Sequence, residues 1–277
     1  MRREGQFRVP QDFTAIPEHP VEAGERPYGS LIIPVLRRIL RLQGIDMTVV
    51  GAEHIPAEGP ALIASNHTNY YDFIFAGVPA YLRGKRLVRF MAKKEVFEVP
   101  VVGALMRAMK HVSVDRSAGK SSISDAISHL NAGELVGIFP EATISRSFEL
   151  KDFKTGAVRI ATEAGVPLIP LVTWGGQRVW TKGGKLALRP RVPVHIQVGE
   201  PVDTSGTPEE ATQRLKDAMQ ELLVKARSAY EDEHGPFPGQ EPWRPAALGG
   251  GAPTLEEANE MDRQDRERKA AKREAQK

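Results

Sequence analysis

Residues 61–72 read ALIASNHTNYYD, an apolar run that ends in a cluster of polar side chains. The run is short and follows Gly59-Pro60, so it predicts a buried strand, with a helix beginning at Thr68-Asn69. His67 then lies where the strand ends. Asp72 follows about one turn into the helix, from where its carboxylate can reach the imidazole. A histidine oriented by a carboxylate is suited to act as a general base.

Two other interpretations of His67 stay open from these residues alone. A histidine at the end of a strand is often structural, and H-x4-D spacing also occurs by chance. A zinc site is less favoured, because zinc needs three or four ligands and the chain has no cysteine. Neither His54 nor His111 has a ligand-like spacing to His67.

Composition limits the class of protein. The 277 residues, 41% hydrophobic and 26% charged, suffice for one well-buried core. The lack of cysteine excludes a disulfide scaffold and suits a reducing compartment. We find neither the apolar segment of a secretory signal nor a run near the roughly 18 apolar residues of a membrane span. A net charge of +3 permits an anionic substrate or membrane surface. No zinc-finger spacing or alternation of aromatic and basic residues supports nucleic-acid binding.

The chain divides into three parts. Residues 1–27, rich in Pro, Glu and Arg, predict an extended or loosely packed arm. Residues 28–234 carry the periodic segments of one domain. Residues 235–253 are rich in Gly and Pro and predict a linker. The charged residues 254–277 predict a solvated helix or a disordered tail without a chemical role.

An amphipathic helix is predicted after Pro34. Its apolar positions are Leu31, Val35, Leu36, Ile39, Leu40 and Leu42, and its charged positions are Arg37, Arg38 and Arg41. Such a helix either packs on the domain or lies in a membrane surface, with its apolar face in lipid and its arginines at anionic headgroups.

Apolar strands and helical segments alternate through the domain. Besides the strand that begins at Ala61, predicted strands cover 47–50, 87–92, 111–116, 135–139, 166–172 and 192–198, and predicted helices cover 73–80, 99–109, 122–131, 156–164 and 208–233. We expect the helix at 73–80 to stop near Pro79. The alternation predicts an α/β domain whose polar clusters gather at the carboxyl ends of the strands.

Four short blocks follow one another in this domain. They are Asn66 to Asp72, Ala92 to Val96 with Val114 to Arg116, Phe139 to Thr143, and Val166 to Pro170. In this order they resemble the blocks N-H-x4-D, A-K-x-E-L with V-D-R, F-P-E-G-T-R-S and V-P-L-x-P of the glycerolipid acyltransferase family, typified by 1-acylglycerol-3-phosphate O-acyltransferase. The stretch from Phe153 to Ala157 is similar to the family's F-K-x-G-A. The resemblance covers about residues 45–200 and implies a single α/β domain with a central mixed sheet flanked by helices.

The resemblance implies catalytic roles for His67 and Asp72. His67 would remove the proton from an acceptor hydroxyl as it attacks an acyl thioester, and Asp72 would orient the imidazole. No covalent enzyme intermediate is needed, which fits a chain without cysteine or a G-x-S-x-G elbow. No cofactor is expected, and acyl-CoA or acyl carrier protein would be the co-substrate.

The resemblance also implies substrate-binding residues. Lys93 would lie near the developing oxyanion or the phosphate, and Arg116 would bind phosphate through charge-assisted hydrogen bonds. Glu141 would shape the acceptor site beside Thr143. Structural alternatives stay open, with Glu141 as a helix-capping acid and Lys93 or Arg116 as solvated residues at strand ends.

The third block departs from the family pattern. Ala142 replaces the usual glycine, and Ile144 stands where a phosphate-binding arginine is expected. Arg146 comes two positions later and can take the missing arginine's place, although an arginine fork is sensitive to its backbone origin. The identity of the acceptor headgroup is therefore less secure than the reaction type.

These residues predict a peripheral membrane acyltransferase at the cytoplasmic face of the membrane. It would move a fatty acyl chain from acyl-CoA or acyl carrier protein to a hydroxyl of a glycerophospholipid precursor, with 1-acylglycerol-3-phosphate as the leading acceptor. Glycerol 3-phosphate, another lysophospholipid and a glycolipid are alternative acceptors. A hydrolase and a non-catalytic lipid-binding protein are the alternative functions.

Overall fold

A computed structural model of the chain describes residues 1–115 and 120–274. Within these residues the strands are β1 (Arg2–Glu4), β2 (Phe7–Val9), β3 (Asp46–Val50), β4 (Ala61–Ser65), β5 (Val88–Lys93), β6 (Val112–Val114), β7 (Leu135–Ile138), β8 (Leu168–Trp174) and β9 (Pro193–Val198). The α-helices are α1 (Ile33–Leu42), α2 (Asp72–Leu82), α3 (Lys94–Glu98), α4 (Pro100–Ala108), α5 (Lys120–Asn131), α6 (Gly156–Ala164), α7 (Pro208–His234) and α8 (Leu255–Glu274).

These strands form one mixed sheet in the order β1-β2-β3-β9-β8-β4-β7-β5-β6. The pairs β1–β2 and β8–β9 are antiparallel, and the other neighbouring pairs are parallel. The predicted α/β fold with a central mixed sheet is confirmed. Because β4, β5, β7 and β8 run in the same direction, their carboxyl ends meet at one edge, which we call the carboxyl edge.

The central strand β4 is buried on both faces, which explains its uninterrupted apolar sequence. Ile63 belongs to a core cluster on one face of the sheet, together with Phe75 of α2. Leu62 belongs to a second cluster on the other face, together with Leu215 and Met219 of α7. Packing on both sides fixes the position of the residues that follow β4.

The helix after β4 differs from its prediction at both ends. It begins at Asp72 rather than at Thr68-Asn69, because the Asp72 carboxylate accepts the backbone N–H groups of these two residues and holds them in a turn. It also continues past Pro79 to Leu82. Pro79 is buried, and its packing favours a continuous helix despite the missing N–H group.

The amino-terminal residues are more tightly packed than predicted. β2 pairs with β3, and Phe7 and Val9 are buried. Glu22 is also buried and accepts a hydrogen bond of 2.7 Å from Arg86 Nη2. The expected loose arm is therefore wrong as a description of this segment, because strands of three residues are too short to produce a clear alternation. The domain boundaries themselves stay a prediction.

The carboxyl-terminal segment lies against the domain. The rings of Phe237 and Trp243 pack edge to face with centroids 4.8 Å apart, and the Arg178 guanidinium lies 4.7 Å from the Trp243 ring centroid. In α8 both Ala258 and Asp262 are buried. The tail is thus helical, as one of the two predictions had it, but one face of the helix contacts protein instead of solvent.

α1 presents apolar side chains in two directions. Leu40 is buried in the core, whereas Val35, Ile39 and Leu42 are exposed. Among the helices within residues 1–115 and 120–274, none combines the length and the apolar character needed to cross a bilayer.

Candidate active site

The site begins at the carboxyl edge, immediately after β4 and β7. His67 follows β4 by two residues, and Phe139 follows β7 directly. The two rings are stacked, with centroids 4.3 Å apart and an interplanar angle of 22°. The parallel pairing of β4 with β7 therefore places the first and third sequence blocks in contact.

His67 is hydrogen-bonded to Asp72, as the spacing predicts. The distance from Nδ1 of His67 to Oδ2 of Asp72 is 3.0 Å. When a carboxylate accepts from Nδ1, the neutral imidazole keeps its proton there and has its lone pair on Nε2. The His67 side chain is 23% exposed, whereas Asp72 is fully buried, so the imidazole is the member of the pair that a substrate can reach.

Asp72 is held by further donors. Its Oδ2 accepts the backbone N–H groups of Thr68 at 2.6 Å and Asn69 at 2.8 Å, and its Oδ1 accepts the Thr173 hydroxyl at 2.8 Å. The carboxylate also stands at the first position of α2, where the helix dipole favours negative charge. These contacts hold the Asp72 carboxylate in one position, from which it orients His67.

Asn66, the first residue of the N-H-x4-D block, fixes the end of β4. Its side-chain NH₂ donates to the Thr173 carbonyl at 3.1 Å, and its oxygen accepts from the Thr173 N–H at 2.8 Å. Thr173 thus contacts both Asn66 and Asp72. The sequence prediction missed Thr173, although its place just after the V-P-L-x-P block was an available signal.

Glu141 connects the third block to the histidine. Its Oε1 accepts the backbone N–H of His67 at 2.7 Å, and its Oε2 accepts that of Lys151 at 3.0 Å. Burial raises the pKa of Glu141 to about 8, the two backbone donors act in the opposite direction, and the charge of Asp72 acts with burial. Glu141 therefore bridges loops rather than capping a helix, and its contact with an acceptor stays a prediction.

The two substituted positions of the third block have clear structural environments. Ala142 has a φ angle of +57°, in the left-handed region where glycine is the ordinary residue. Ile144 is buried, so an apolar side chain fits where the family has arginine. Thr143, between them, is partly buried and stays a predicted binding residue.

Arg146 belongs to a group of three cations. With Lys151 and Lys182 it forms what we call the cationic cluster, and all three contact α8. Arg146 Nη2 donates to Asp265 Oδ2 at 2.5 Å. The sequence prediction included Arg146 but missed the two lysines and the aspartates of α8.

The second block is placed less completely. Lys93 ends β5 at the carboxyl edge, separated from β4 by β7, and it is exposed. Arg116 lies outside the described residues. The proposed oxyanion and phosphate contacts of these two residues stay predictions.

One group of described residues has the composition of a metal site. His195, Glu233 and His234 offer ligand atoms within 4.8 Å of one another. Glu233 Oε2 lies 3.8 Å from His195 Nε2 and 3.6 Å from His234 Nε2, but it already accepts from Arg8 at 2.7 Å. The group contains none of the predicted site residues.

The described residues also enclose an apolar cavity of about 200 Å³. It lies between α1, α2 and α4, and Leu36, Phe73, Val102 and Leu105 are among its lining residues. Phe73 directly follows Asp72 in the chain, but neither Asp72 nor His67 lines the cavity.

Comparisons with known proteins agree with this geometry. A family model described as acyltransferase matches residues 46–174, from β3 to the end of β8. A 1-acyl-sn-glycerol-3-phosphate acyltransferase of Bacillus subtilis is 36% identical over 164 residues, covering 58% of this chain and 79% of that protein. One of Borreliella burgdorferi is 25% identical over 192 residues, covering 67% and 73%.

A solved structure has the same fold. The crystal structure of the 1-acyl-sn-glycerophosphate (LPA) acyltransferase PlsC from Thermotoga maritima aligns with a TM-score of 0.52 and 24% identity. The alignment covers 73% of this chain and 81% of that chain. At this level of identity the likeness concerns the fold.

Proposed function

Because the chain belongs to the family of 1-acyl-sn-glycerol-3-phosphate acyltransferases, we propose that it acylates the free hydroxyl of 1-acyl-sn-glycerol 3-phosphate. The donor is the thioester of acyl-CoA or acyl carrier protein, and the product is phosphatidic acid. The observation that carries the proposal is the hydrogen bond between His67 and Asp72 at the carboxyl edge, in which the imidazole is accessible to a substrate.

The proposed reaction is a direct transfer. As the acceptor oxygen attacks the thioester carbonyl, His67 Nε2 takes the hydroxyl proton. A carbon–oxygen bond forms, the carbon–sulfur bond breaks, and the imidazolium returns the proton to the leaving thiolate. Asp72 stabilises the imidazolium and keeps the proton of the resting histidine on Nδ1. The thioester already activates the acyl group, so the proposed step uses no resident cofactor.

Positive charge near the reacting carbonyl would lower the barrier further. The family resemblance assigns this role to Lys93 and a phosphate contact to Arg116. The position of Lys93 at the carboxyl edge supports the assignment, because β5 ends on the same side of the sheet as β4.

The cavity between α1, α2 and α4 supports an acyl-chain site. Its lining is almost entirely apolar, and burying methylene groups there is favourable by about 0.8 kcal/mol each. One of its lining residues, Phe73, is the neighbour of Asp72 in the chain. We propose that an acyl chain bound in the cavity has its thioester near His67.

We also propose that the protein works on a membrane surface. Exposed apolar residues lie just before α1, on α1 and around α4, namely Leu31, Val35, Ile39, Leu42, Val99, Val101, Val102 and Leu105. Arg38 and Arg41 are exposed on α1 and can meet anionic headgroups. The proposed surface is the cytoplasmic face, since a cysteine-free chain and a thioester donor both suit a reducing compartment.

The proposal is tested by transfer from radiolabelled palmitoyl-CoA to 1-acyl-sn-glycerol 3-phosphate in mixed micelles. We expect labelled phosphatidic acid from the native protein and at least about 100-fold less from His67→Ala, because a general base contributes roughly that much or more. His54→Ala is the matched control, since His54 lies outside the site, and it should retain transfer.

A panel of acceptors defines the headgroup. Glycerol 3-phosphate, a neutral lysolipid and a lysophosphatidylcholine are offered in parallel, with acyl carrier protein as a second donor. Transfer only to an acceptor without a terminal phosphate would contradict the proposed substrate. Release of free fatty acid that is the same with and without acceptor would indicate a hydrolase. Absence of turnover with both donors would indicate a lipid-binding protein.

A further inference from the structure

The acidic face of α8 contacts the cationic cluster. Asp262 Oδ1 accepts from Lys182 Nζ at 2.5 Å, and its Oδ2 lies 3.1 Å from Lys151 Nζ. The Nε of Arg146 is 3.5 Å from Asp262 Oδ1. The Asp262 side chain is only 4% exposed. Three cationic side chains therefore surround a single buried carboxylate.

A second carboxylate of α8 completes the contact. Asp265 Oδ2 accepts from Arg146 Nη2 at 2.5 Å and lies 3.7 Å from Lys182 Nζ. Burial raises the pKa of Asp262, but the hydrogen bonds from Lys182 and Lys151 outweigh it and hold the pKa below its usual value. The two aspartates together bring two negative charges to three positive ones.

Chain neighbours of the cationic cluster contact the loop of residues 66–71 between β4 and α2, which we call the catalytic loop. Ser145, the neighbour of Arg146, donates its N–H to the His67 carbonyl at 2.7 Å. Thr181, the neighbour of Lys182, donates its hydroxyl to the Thr68 carbonyl at 2.7 Å. Both contacts end at residues 67 and 68.

The third cation is tied to the same loop through Glu141. The N–H of Lys151 donates to one oxygen of Glu141, and the other oxygen accepts the N–H of His67. Arg146 and Lys182 are thus linked to the catalytic loop through their chain neighbours, and Lys151 is linked to it through Glu141.

A phosphate monoester matches what α8 supplies. It carries a charge of about −1.5 to −2 at neutral pH and has three acceptor oxygens. One carboxylate already lies within 3.5 Å of cationic nitrogens from all three residues of the cluster. A phosphate, which is larger and has one more oxygen, can accept from all three.

We propose that Arg146, Lys151 and Lys182 form the subsite for the acceptor's phosphate, and that Asp262 and Asp265 occupy this subsite until the acceptor displaces them. The inference rests on the proposed function, since it names a subsite and a regulation of the same reaction. α8 then acts as an internal competitor. The measured affinity for the acceptor is lower than the intrinsic affinity by the fraction of molecules in which α8 has left the cluster.

If the ion pairs have a purely structural role, a different result is expected. If α8 only braces the catalytic loop, then breaking the pairs from either side should change acceptor binding in the same direction. If α8 competes with the phosphate, then removing the aspartates and removing a cation should have opposite effects. The two roles are therefore separable by experiment.

The test uses two variant proteins. The aspartate variant carries both Asp262→Asn and Asp265→Asn, and the second protein carries Lys182→Met. Steady-state transfer is measured over a range of 1-acyl-sn-glycerol 3-phosphate concentrations. We expect the acceptor KM to fall at least threefold in the aspartate variant and to rise at least threefold in Lys182→Met. The donor KM should stay unchanged in both. Glu260→Gln with Glu267→Gln, exposed acids of the same helix that pair with Arg263, should leave both constants unchanged.

A binding measurement makes the result independent of turnover. Calorimetric titration with glycerol 3-phosphate, a water-soluble phosphate monoester, should show tighter binding by the aspartate variant and weaker binding by Lys182→Met. Should the double variant unfold, Asp265→Asn alone, at a less buried position, serves the same purpose.

The outcomes distinguish the inference from the proposed function. Native protein that fails to transfer acyl groups contradicts the proposed function, while the titration still decides whether α8 competes for the phosphate subsite. Transfer by the native protein, with KM and binding shifted in the same direction by both variants or by neither, overturns the inference alone.

Discussion

The imidazole of His67 and the carboxylate of Asp72 are joined by a hydrogen bond of 3.0 Å at the junction between β4 and α2. Four residues separate them in the chain, and the intervening turn folds around the carboxylate. The turn residues Thr68 and Asn69 donate their N–H groups to the same oxygen that faces the imidazole. The carboxylate that orients His67 therefore also holds the turn between β4 and α2 in place.

Asp72→Asn tests the charge of this pair. Asparagine keeps the size of the side chain and an oxygen for the backbone donors, but it cannot stabilise an imidazolium. We expect kcat for transfer to fall at least about 100-fold, within the range for general-base catalysis. Asp217→Asn, an exposed position on α7, is the control. A kcat within twofold of the native value would remove Asp72 from the mechanism.

Thr173→Val tests the residue that supports Asp72 from β8. Valine has the same shape but lacks the hydroxyl that donates to Asp72 Oδ1 at 2.8 Å. We expect a loss of about 1–2 kcal/mol in the free energy of unfolding and a severalfold lower kcat, with the acceptor KM unchanged. Thr173→Ser restores the hydroxyl and should recover kcat. Equal losses in both variants would mean that the methyl group, rather than the hydroxyl, matters.

Much of the fold could be predicted because its strands are long apolar runs between helices. The helix over 156–164 coincides with α6, and the strand predicted to begin at Ala61 is β4. β1 and β2 were missed because each has three residues, and their stability comes from pairing and from burial of Phe7 and Val9. Such contacts between distant segments leave no periodic pattern in the sequence.

The site could be predicted only where the residues that contact one another are also close in the sequence. His67 and Asp72 are close in sequence, so their spacing was informative. The contact of the cationic cluster with α8 joins residues that are 80 and 119 positions apart. One signal was present, because Ala258, Asp262 and Asp265 share one face of a helix, but charge composition alone favoured a solvated tail.

Because of Glu141, the free energy of unfolding should fall as the pH rises towards 8. Its pKa is about 8 in the folded chain and near 4.5 when unfolded. Between these values the folded state binds more protons, so the free energy of unfolding falls as pH rises, by at most about 1.4 kcal/mol per pH unit. Denaturant titrations at pH 6 to 9 measure this slope.

Glu141→Gln is the comparison for that slope. Glutamine cannot ionise, so the fall should be smaller in the variant than in the native protein, even though the variant loses one acceptor for a backbone N–H. Parallel curves for the two proteins over pH 6 to 9 would show that Glu141 does not change its charge there.

Ala142→Gly should stabilise the protein. The φ angle of +57° costs an alanine about 1–2 kcal/mol, and the greater freedom of glycine in the unfolded chain offsets part of the gain. We expect a net increase of about 0.5–1 kcal/mol in the free energy of unfolding. The same change at Ala104, exposed within α4, should instead cost about 1 kcal/mol. Destabilisation at both positions would contradict the strain assigned to Ala142.

The exposed side of α1 should determine binding to lipid. Val35→Ser with Leu42→Ser removes two exposed apolar side chains without changing charge. We expect at least a tenfold weaker partition into vesicles containing anionic lipid, because each buried apolar side chain contributes about 1.5–3 kcal/mol when fully inserted. Val224→Ser, an equally exposed position on α7, is the control and should leave partition unchanged. Partition that is equal in all three proteins would show that α1 does not enter the membrane surface, and the exposed residues around α4 would then be the remaining candidate.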